Sequence, residues 1–312
     1  MNSQYQPVED EIDLRELITA IWSGRWVIIG LTAIVSILTV VIVLMMPNIY
    51  KSSVLLSPSE DASGGGLSAL ASQFGSLASL AGVQINDDHV DKTTVALEVL
   101  NSRQFIANFV DRNELKVPLM ATKKWDQKSN RLIIDDDLYD EGTGRWVREV
   151  NFPYSPEPSD LEVIEHFKKN VLNVSKMQET GLVLLSVSHY SPYLAKEIAS
   201  QLVKDLNERI RLRDIEEAEK SIEFLKKELD KTAVAEMQNV FYELIEQQTQ
   251  KVMLANVRDQ YVFKIVDPAF VPEEKDKPSR LLILALAILS SGFLGLIIVL
   301  VKHSFKDEVE KK

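Results

Sequence analysis

The sequence predicts an α+β membrane protein, in which two transmembrane helices flank an α/β base domain with a long α-helical hairpin extension. Three observations support this prediction. Two uncharged apolar stretches lie near the ends of the 312-residue chain. The segment between them is polar and mixes strand and helix patterns. Residues 193–261 contain neither proline nor glycine, which is typical of long uninterrupted helix.

The composition excludes several classes of protein. Lys and Arg number 35 against 46 Asp and Glu, a net charge of −11, so the chain lacks the basic footprint of a nucleic-acid binder. The absence of cysteine excludes disulfides, a thiolate nucleophile and cysteine metal sites. The 4 histidines are scattered, without the spacing of a helical two-histidine metal site. We therefore expect no catalytic residue, no metal and no cofactor.

The two apolar stretches cover residues 26–46 and 281–301. As helices each would be about 31 Å long, which matches the hydrocarbon core of a bilayer. Trp26 and Tyr50 lie near the ends of the first stretch, where amphipathic rings favour the interface. A cleaved signal peptide is the alternative for this stretch. The stretch is too long for that, and no small-residue cleavage site follows it.

Two spans place both termini on one side of the membrane. Basic residues are somewhat more frequent in the tails, residues 1–25 and 302–312, than in the short stretches beside the spans on the other side. The tail bases are Arg15, Arg25, Lys302, Lys306, Lys311 and Lys312, and the others are Lys51, Lys275, Lys277 and Arg280. This balance predicts cytoplasmic tails and a translocated segment at residues 47–280.

The base domain is predicted at about residues 47–190 and 261–280. Residues 49–57 alternate and contain β-branched side chains, which predicts a strand. Residues 58–82 contain three successive glycines and form either a flexible loop or an apolar helical stripe. Residues 91–110 have the pattern of one amphipathic helix.

An acidic run, Asp135-Asp136-Asp137, lies in residues 123–158, the segment with the least regular pattern. Asp135 and Asp137 are spaced like the metal-binding pair of some glycosyltransferases. No nucleotide-binding pattern surrounds them, so we interpret the run as a solvated loop.

A helix follows at residues 159–170, where Ser159 and Glu162 form a predicted capping box. Residues 172–177 and 182–189 then flank a Glu-Thr-Gly turn and predict a β-hairpin. His189 ends its second strand, and we assign it a structural polar role.

The helical extension is predicted at about residues 191–260, with Ser191 as the N-cap and a reversal near residues 230–233. Its apolar positions follow the spacing of a coiled-coil seam. The seam residues are Ile215, Ile222, Leu225 and Leu229. A lone two-helix stalk buries little surface, so we favour packing between several copies over packing within one chain.

The chain returns to the membrane through a strand at residues 261–267 and a segment stiffened by Pro268, Pro272 and Pro278. In the second span, small residues recur every four positions, an arrangement that allows close helix contact. These residues are Ala287, Ser291 and Gly295. The contact could be with the first span, a second copy or another membrane protein.

The order of these parts resembles the Wzz-type chain-length determinants, the polysaccharide co-polymerases of the bacterial inner membrane. The sequences DEIDLRELITAIWSGRWVII and PNIYKSSVLLSP around the first span carry the resemblance. TVALEVLNSRQFI, GLVLLSVSHYSPYLAKEIASQLVKDLNERIR and VDPAFVPEEKDKPSR carry it further. Residues 123–158 are the least similar to the family.

The resemblance implies a non-catalytic role in setting the length of O-antigen, the lipopolysaccharide polymer, or of a related surface polysaccharide. It implies a periplasmic middle domain and a homo-oligomeric ring, often octameric, that acts with a membrane polymerase and the growing glycan. A related branch carries a cytoplasmic kinase domain, and residues 302–312 leave no room for one. The main alternative is a periplasmic adaptor of a polysaccharide export complex, which usually has one anchor and more β-structure. A two-span sensor would need an output domain that we do not find.

Overall fold

The computed structural model describes residues 21–59 and 92–310, with side chains up to residue 302. The chain divides into two compact units. One comprises Ile49–Lys275, and the other combines Met1–Asn48 with Asp276–Lys312. The predictions for residues 60–82 and for most of the two tails lie outside the described residues.

The described residues form a mixture of helices and strands. In chain order they are α1 (Arg25–Met45), β1 (Tyr50–Pro58), α2 (Lys92–Asn101), α3 (Arg103–Arg112), α4 (Lys116–Met120), β2 (Thr122–Asp126), β3 (Arg131–Ile134), β4 (Tyr139–Asp140), β5 (Arg145–Trp146), α5 (Asp160–His166), a π-helical turn (Phe167–Val171), β6 (Leu172–Lys176), β7 (Val183–His189), α6 (Pro192–Lys231), α7 (Ala235–Val257), β8 (Phe263–Asp267) and α8 (Arg280–Glu310).

The two apolar stretches form helices of membrane-spanning length and composition. They are α1 and the first part of α8, up to Lys302, with mean hydropathies of 3.0 and 2.7. The two helices pack against each other within their unit. Most of their large apolar side chains remain exposed, as expected for helices whose solvent is lipid.

The second unit is built on an antiparallel sheet of four strands in the order β6-β7-β1-β8. Tyr50 at the start of β1 pairs with His189 at the end of β7. β8 runs antiparallel to β1, and after its last residue, Asp267, the chain continues beside β1, where Phe270 accepts a hydrogen bond from Ser52. The segments that lead to α1 and to α8 therefore leave the sheet at the same end. The predicted strands at residues 49–57 and 261–267 and the predicted β-hairpin are confirmed.

The core lies between this sheet and the helices. The alternating residues Val54 and Leu56 of β1 are buried, as β-strand geometry requires. They join one hydrophobic cluster with Ile198, Leu202, Leu206 and Ile210 of α6 and with three phenylalanines, Phe105, Phe109 and Phe167. The first five turns of α6 thus belong to the base, and the part of α6 outside the core begins after Ile210.

Two helix predictions need correction. The helix expected at residues 91–110 is two helices, because Ser102 caps the second one. Its Oγ accepts a hydrogen bond from the Phe105 N–H at 3.2 Å and donates one to the Val99 carbonyl at 2.7 Å. The helix expected at residues 159–170 ends at His166 and continues as the π-helical turn, which buries Phe167 completely. The predicted capping box of Ser159 and Glu162 is confirmed.

The irregular segment forms two short β-hairpins, β2–β3 and β4–β5. Their turns use residues in the left-handed region, Asn130 at φ 52° and Gly144 at φ 67°. Arg148 orders the loop that follows: its guanidinium donates to the carbonyls of Ser155 and Pro156 and pairs with Glu162 at 2.8 Å. These strands have only two to five residues each, which is too short for a period to predict them.

The helical hairpin consists of α6 and α7. α6 has 40 residues, so it is about 60 Å long. Ser191 caps it by accepting a hydrogen bond from the Leu194 N–H, and Pro192 occupies the first turn, as predicted. The chain reverses at residues 232–234, which confirms the predicted reversal.

Candidate functional site

The small residues of α8 face α1. Ser291 and Gly295 are buried and Ala287 is half-buried, although Leu289 and Phe293 of the same helix are exposed. A Cβ atom added to Gly295 would lie 3.2 Å from the Cα of Ile28, so glycine permits the close approach of the two helices. Of the three partners that the sequence leaves open for this stripe, the structure places it against the first span.

A second glycine that the sequence analysis missed extends this contact. Gly24 lies just before α1, and a methyl group added there would overlap the side chain of Val299. Val299 itself is buried and continues the four-residue spacing of Ala287, Ser291 and Gly295. The only sequence signal for Gly24 is a glycine between two tryptophans at the start of a span.

At the other end of the helix pair, a polar contact joins the two chain segments. The guanidinium of Arg280 donates a hydrogen bond to the side-chain oxygen of Asn48 at 3.1 Å. Arg280 begins α8 and Asn48 follows α1, so the two helices are tied at both ends.

The hairpin leaves apolar surface uncovered. The predicted seam residues Ile215, Ile222, Leu225 and Leu229 are half-buried, and Ala218 and Ala255 are fully buried. Other large apolar side chains of α6 and α7 remain exposed: Phe224 by 62%, Met237 by 50%, Val240 by 53%, Met253 by 64% and Val257 by 83%. Packing between the two helices therefore accounts for only part of the apolar surface of the hairpin.

Asn207 joins α6 to β8 where α6 leaves the base. Its side-chain oxygen accepts hydrogen bonds from the backbone N–H groups of Val262 (2.8 Å) and Phe263 (2.9 Å), and its amide donates to the Phe263 carbonyl (3.0 Å). All three residues are buried. An Asn in a helical apolar pattern gives no signal for this role.

Asp214 forms a second buried contact two turns further along α6. It accepts a hydrogen bond from the Tyr261 hydroxyl at 2.9 Å and pairs with Lys92 at 3.4 Å. Burial and the neighbouring Asp214 carboxylate raise the pKa of Tyr261, which keeps the hydroxyl protonated as a donor. Asn207 and Asp214 together fix the angle at which α6 leaves the base.

A cleft of about 230 Å³, lined by both polar and apolar side chains, lies between α3 and α6. Gln104, Asn108 and Arg112 line it from α3, and Asp205 and Glu208 line it from α6. Asp205 is buried and lies 3.6 Å from the guanidinium of Arg112. Amides, carboxylates and guanidinium groups in one cleft can donate to and accept from the hydroxyl groups of a sugar.

The remaining polar residues singled out in the sequence have structural partners. His189 is buried: its Nδ1 accepts from the Ser191 N–H at 3.0 Å, so Nε2 carries the proton that it donates to the Pro118 carbonyl. Asp135 pairs with Lys123 at 3.3 Å and accepts from the Asp137 N–H. No group of three or more potential metal ligands occurs in the part of the chain that the structure describes.

The three prolines of the predicted stiff segment fall in both units. Pro268 follows β8 directly, and the residue after it, Ala269, is buried beside the sheet. Pro272 is half-buried in the same unit, whereas Pro278 belongs to the unit of the apolar helices.

These features define a class of protein, namely a two-span membrane protein with a large polar α/β insertion that carries a helical hairpin. Comparison with known proteins agrees with this class. The family model of the Wzz chain length determinant proteins matches residues 10–112, and that of the GNVR G-rich domain matches residues 230–304. The resemblance to the Wzz family is therefore confirmed: the chain carries a Wzz chain length determinant domain and, after it, a GNVR domain.

Two solved structures align with most of the chain at low identity. A full-length bacterial polysaccharide co-polymerase is 13% identical, with 96% of this chain and 99% of that chain covered, at a TM-score of 0.37. A fragment of WzzB, a polysaccharide co-polymerase from Salmonella Typhimurium, is 12% identical, with 74% of this chain and 100% of that chain covered, at a TM-score of 0.28. No curated protein sequence matches the chain significantly.

Proposed function

We propose that this protein is a non-catalytic regulator of chain length in the biosynthesis of O-antigen or a related surface polysaccharide. The observation that carries the proposal is the Wzz chain length determinant domain at residues 10–112, set in a two-span architecture. The protein would act as a homo-oligomer together with the membrane polymerase that extends the glycan.

The proposed location is the bacterial inner membrane, with both termini in the cytoplasm and residues 47–280 in the periplasm. Two facts support this topology: both connections to the spans leave the sheet at one end, and the tails hold more bases than the opposite flanks. A tag fused at residue 312 should resist protease added to intact spheroplasts. Digestion of the tag under these conditions would refute the orientation.

Self-association is supported by the exposed apolar side chains of the hairpin, which need a partner in an aqueous compartment. We expect Phe224→Glu combined with Met253→Glu to weaken the oligomer of the full chain, measured by native mass spectrometry in detergent. The matched control makes the same change in net charge at two exposed polar residues of the same helices, Lys226→Gln and Asn239→Glu. An unchanged oligomer in the apolar variant would place the interface elsewhere.

For the growing glycan, we propose the cleft between α3 and α6 as the contact. Gln104→Ala combined with Asn108→Ala removes two amides from the cleft and should shift the modal chain length without changing the oligomer. Gln250→Ala on α7, outside the cleft, is the control. An unchanged length distribution in the double variant would remove the cleft from the proposal.

The decisive experiment is a gel of surface polysaccharide from a strain that lacks the gene, beside the same strain with the gene restored. Chain-length control predicts that the deletion converts a narrow length distribution into a random one while polymer is still made. Loss of all polymer would contradict this proposal and favour the export adaptor. An unchanged distribution would refute any role in chain length.

A further inference from the structure

The turn of the β2–β3 hairpin concentrates positive charge in an otherwise acidic chain. Lys124 of β2, Lys128 of the turn and Arg131 at the start of β3 are exposed, whereas the chain as a whole has a net charge of −11. None of the three forms an ion pair with any residue that the structure describes. We call these three residues together with Trp125 the basic tip.

The acidic residues nearby neutralise the basic tip only in part, since Asp126 lies near the Lys124 charge and opposite Arg131 in the register of the hairpin. Asp126 is engaged in the turn itself, where its carboxylate accepts hydrogen bonds from the Ser129 hydroxyl and the Lys128 N–H. The acidic run begins at Asp135, after the end of β3, where Asp135 pairs with Lys123. In the register of the hairpin, this run lies opposite Thr122 at the start of β2, away from the turn. The tip therefore holds three bases and one acid, Asp126, whereas the acidic run lies at the base of the hairpin.

The basic tip is attached to an aromatic cluster. The ring of Trp125 lies 5.6 Å from that of Tyr50 and 6.1 Å from that of Tyr193, centroid to centroid. Its indole N–H donates to Asn130 at 3.0 Å, and Tyr193 is 51% exposed. Tryptophan and tyrosine rings with a polar edge and an apolar face are typical of a membrane–water interface.

The aromatic cluster marks the end of the sheet from which the chain continues to both apolar helices. Tyr50 begins β1 and follows the last residue of α1, Met45, by five residues. Five extended residues span at most about 18 Å. If α1 crosses a bilayer, Tyr50 therefore lies no farther than that from the membrane end of the helix.

We propose that the basic tip contacts the headgroup layer of an anionic phospholipid bilayer. Lysine and arginine side chains near such a surface each favour the contact by about fivefold, and the rings of Trp125 and Tyr193 suit the interface. An acidic saccharide is the alternative ligand, because it carries negative charge as the lipid headgroups do. The membrane is favoured because the covalent connection of Tyr50 to α1 holds the cluster near the bilayer in every copy. The proposal rests on the two-span topology but does not depend on chain-length control.

The test uses the full chain, whose lack of cysteine permits single thiol labels. Gln127→Cys places a fluorophore in the turn of the β2–β3 hairpin, and Ala233→Cys places one at the reversal between α6 and α7. Both proteins are reconstituted in phosphatidylcholine vesicles, with or without phosphatidylglycerol, that contain a lipid with a nitroxide quencher on its headgroup. We expect quenching at residue 127 to exceed that at residue 233 at least about threefold with phosphatidylglycerol, and to fall with added salt.

Charge reversal at the tip supplies the specific variant. Lys124→Glu with Lys128→Glu should halve the quenching at residue 127 or reduce it further. The matched control, Lys204→Glu with Lys226→Glu, makes the same charge change at exposed positions of α6 and should leave it unchanged. Circular dichroism checks that both variants keep the fold.

Several outcomes would overturn the proposal. Equal quenching at residues 127 and 233 would do so, as would quenching that the tip variant does not alter. A label at residue 127 that responds to added polygalacturonate, and not to phosphatidylglycerol, would identify a glycan as the occupant instead. Alkaline extraction of the vesicles distinguishes failure of the two-span topology from failure of the proposed lipid contact. A chain that alkali releases refutes the two-span topology as well. A chain that is retained but shows no quenching refutes only the contact of the basic tip with the bilayer.

Discussion

Replacing Asn207 by alanine should destabilise the protein strongly, because this side chain makes three hydrogen bonds inside the core. The substitution leaves the N–H groups of Val262 and Phe263 and the Phe263 carbonyl without their partner. Val262 and Phe263 are at most 1% exposed, so bulk water does not replace the lost bonds. At about 1–1.5 kcal/mol for each bond, we expect a loss of about 3–5 kcal/mol in the free energy of unfolding.

The assay is thermal unfolding of the full chain in detergent, followed by circular dichroism. For a unit of this size, 1 kcal/mol corresponds to about 2–4 °C, so the midpoint should fall by roughly 6–20 °C. Asn256→Ala is the matched control, because its amide only donates to the Val252 carbonyl one turn back on the exposed surface of α7. If Asn207→Ala shifts the midpoint no more than Asn256→Ala, Asn207 does not join α6 to β8 as we describe.

Three further predictions concern single residues. Gly295→Leu should separate the apolar helices at a cost of about 1–3 kcal/mol and lower the cross-linking yield between cysteines placed on them. Gly292→Leu, at a position of the same helix with open space around it, should change neither the stability nor the cross-linking yield. Burial lowers the pKa of His189 below its ordinary 6.5, so its contribution to stability is present above pH 6.5 and is lost as the pH falls towards the folded-state pKa. Unfolding midpoints at pH 7.5 and 5.5 should differ less in His189→Gln than in the natural chain. Ser159→Ala removes the capping box and should cost about 1 kcal/mol in denaturant unfolding, and an unchanged midpoint would contradict this role.

The long elements could be predicted from the sequence because each repeats one physical signal many times. The two apolar helices lack charges over their whole length, and α6 and α7 lack helix breakers over their whole length. The reversal at residues 232–234 follows from the need of the chain to return to the second apolar stretch, and not from a helix breaker. No proline or glycine marks it, and Thr232 simply leaves the helical conformation while its hydroxyl bonds to the Glu228 carbonyl.

The short elements could not be predicted because a single side chain determines where each of them begins or ends. Ser102 ends one helix and begins the next inside an amphipathic pattern that continues through the break. The π-helical turn at Phe167–Val171 adds a residue to the helical repeat, and burial of Phe167 in the core stabilises it. In both places tertiary packing overrides a local period.

The contacts between residues that are distant in the chain could likewise not be predicted from the sequence. Gly24 and Val299 lie at opposite ends of the chain, and nothing in either local pattern indicates that they meet. The same holds for Asn207 with β8 and for Trp125 with Tyr50. Each of these contacts depends on the sheet order or on helix pairing, which local sequence patterns do not specify.

The position of α6 connects these observations. One continuous helix contributes Ile198, Leu202, Leu206 and Ile210 to the core of the base and then forms half of the exposed hairpin. Asn207 and Asp214 hold it to the base at its point of exit. Because α6 has no break between these two parts, a partner that displaces the outer hairpin must bend the helix, break those buried contacts or tilt the base with it. The helical hairpin is therefore held to the base by one unbroken helix and by buried polar contacts, and its orientation is set by the core of the base.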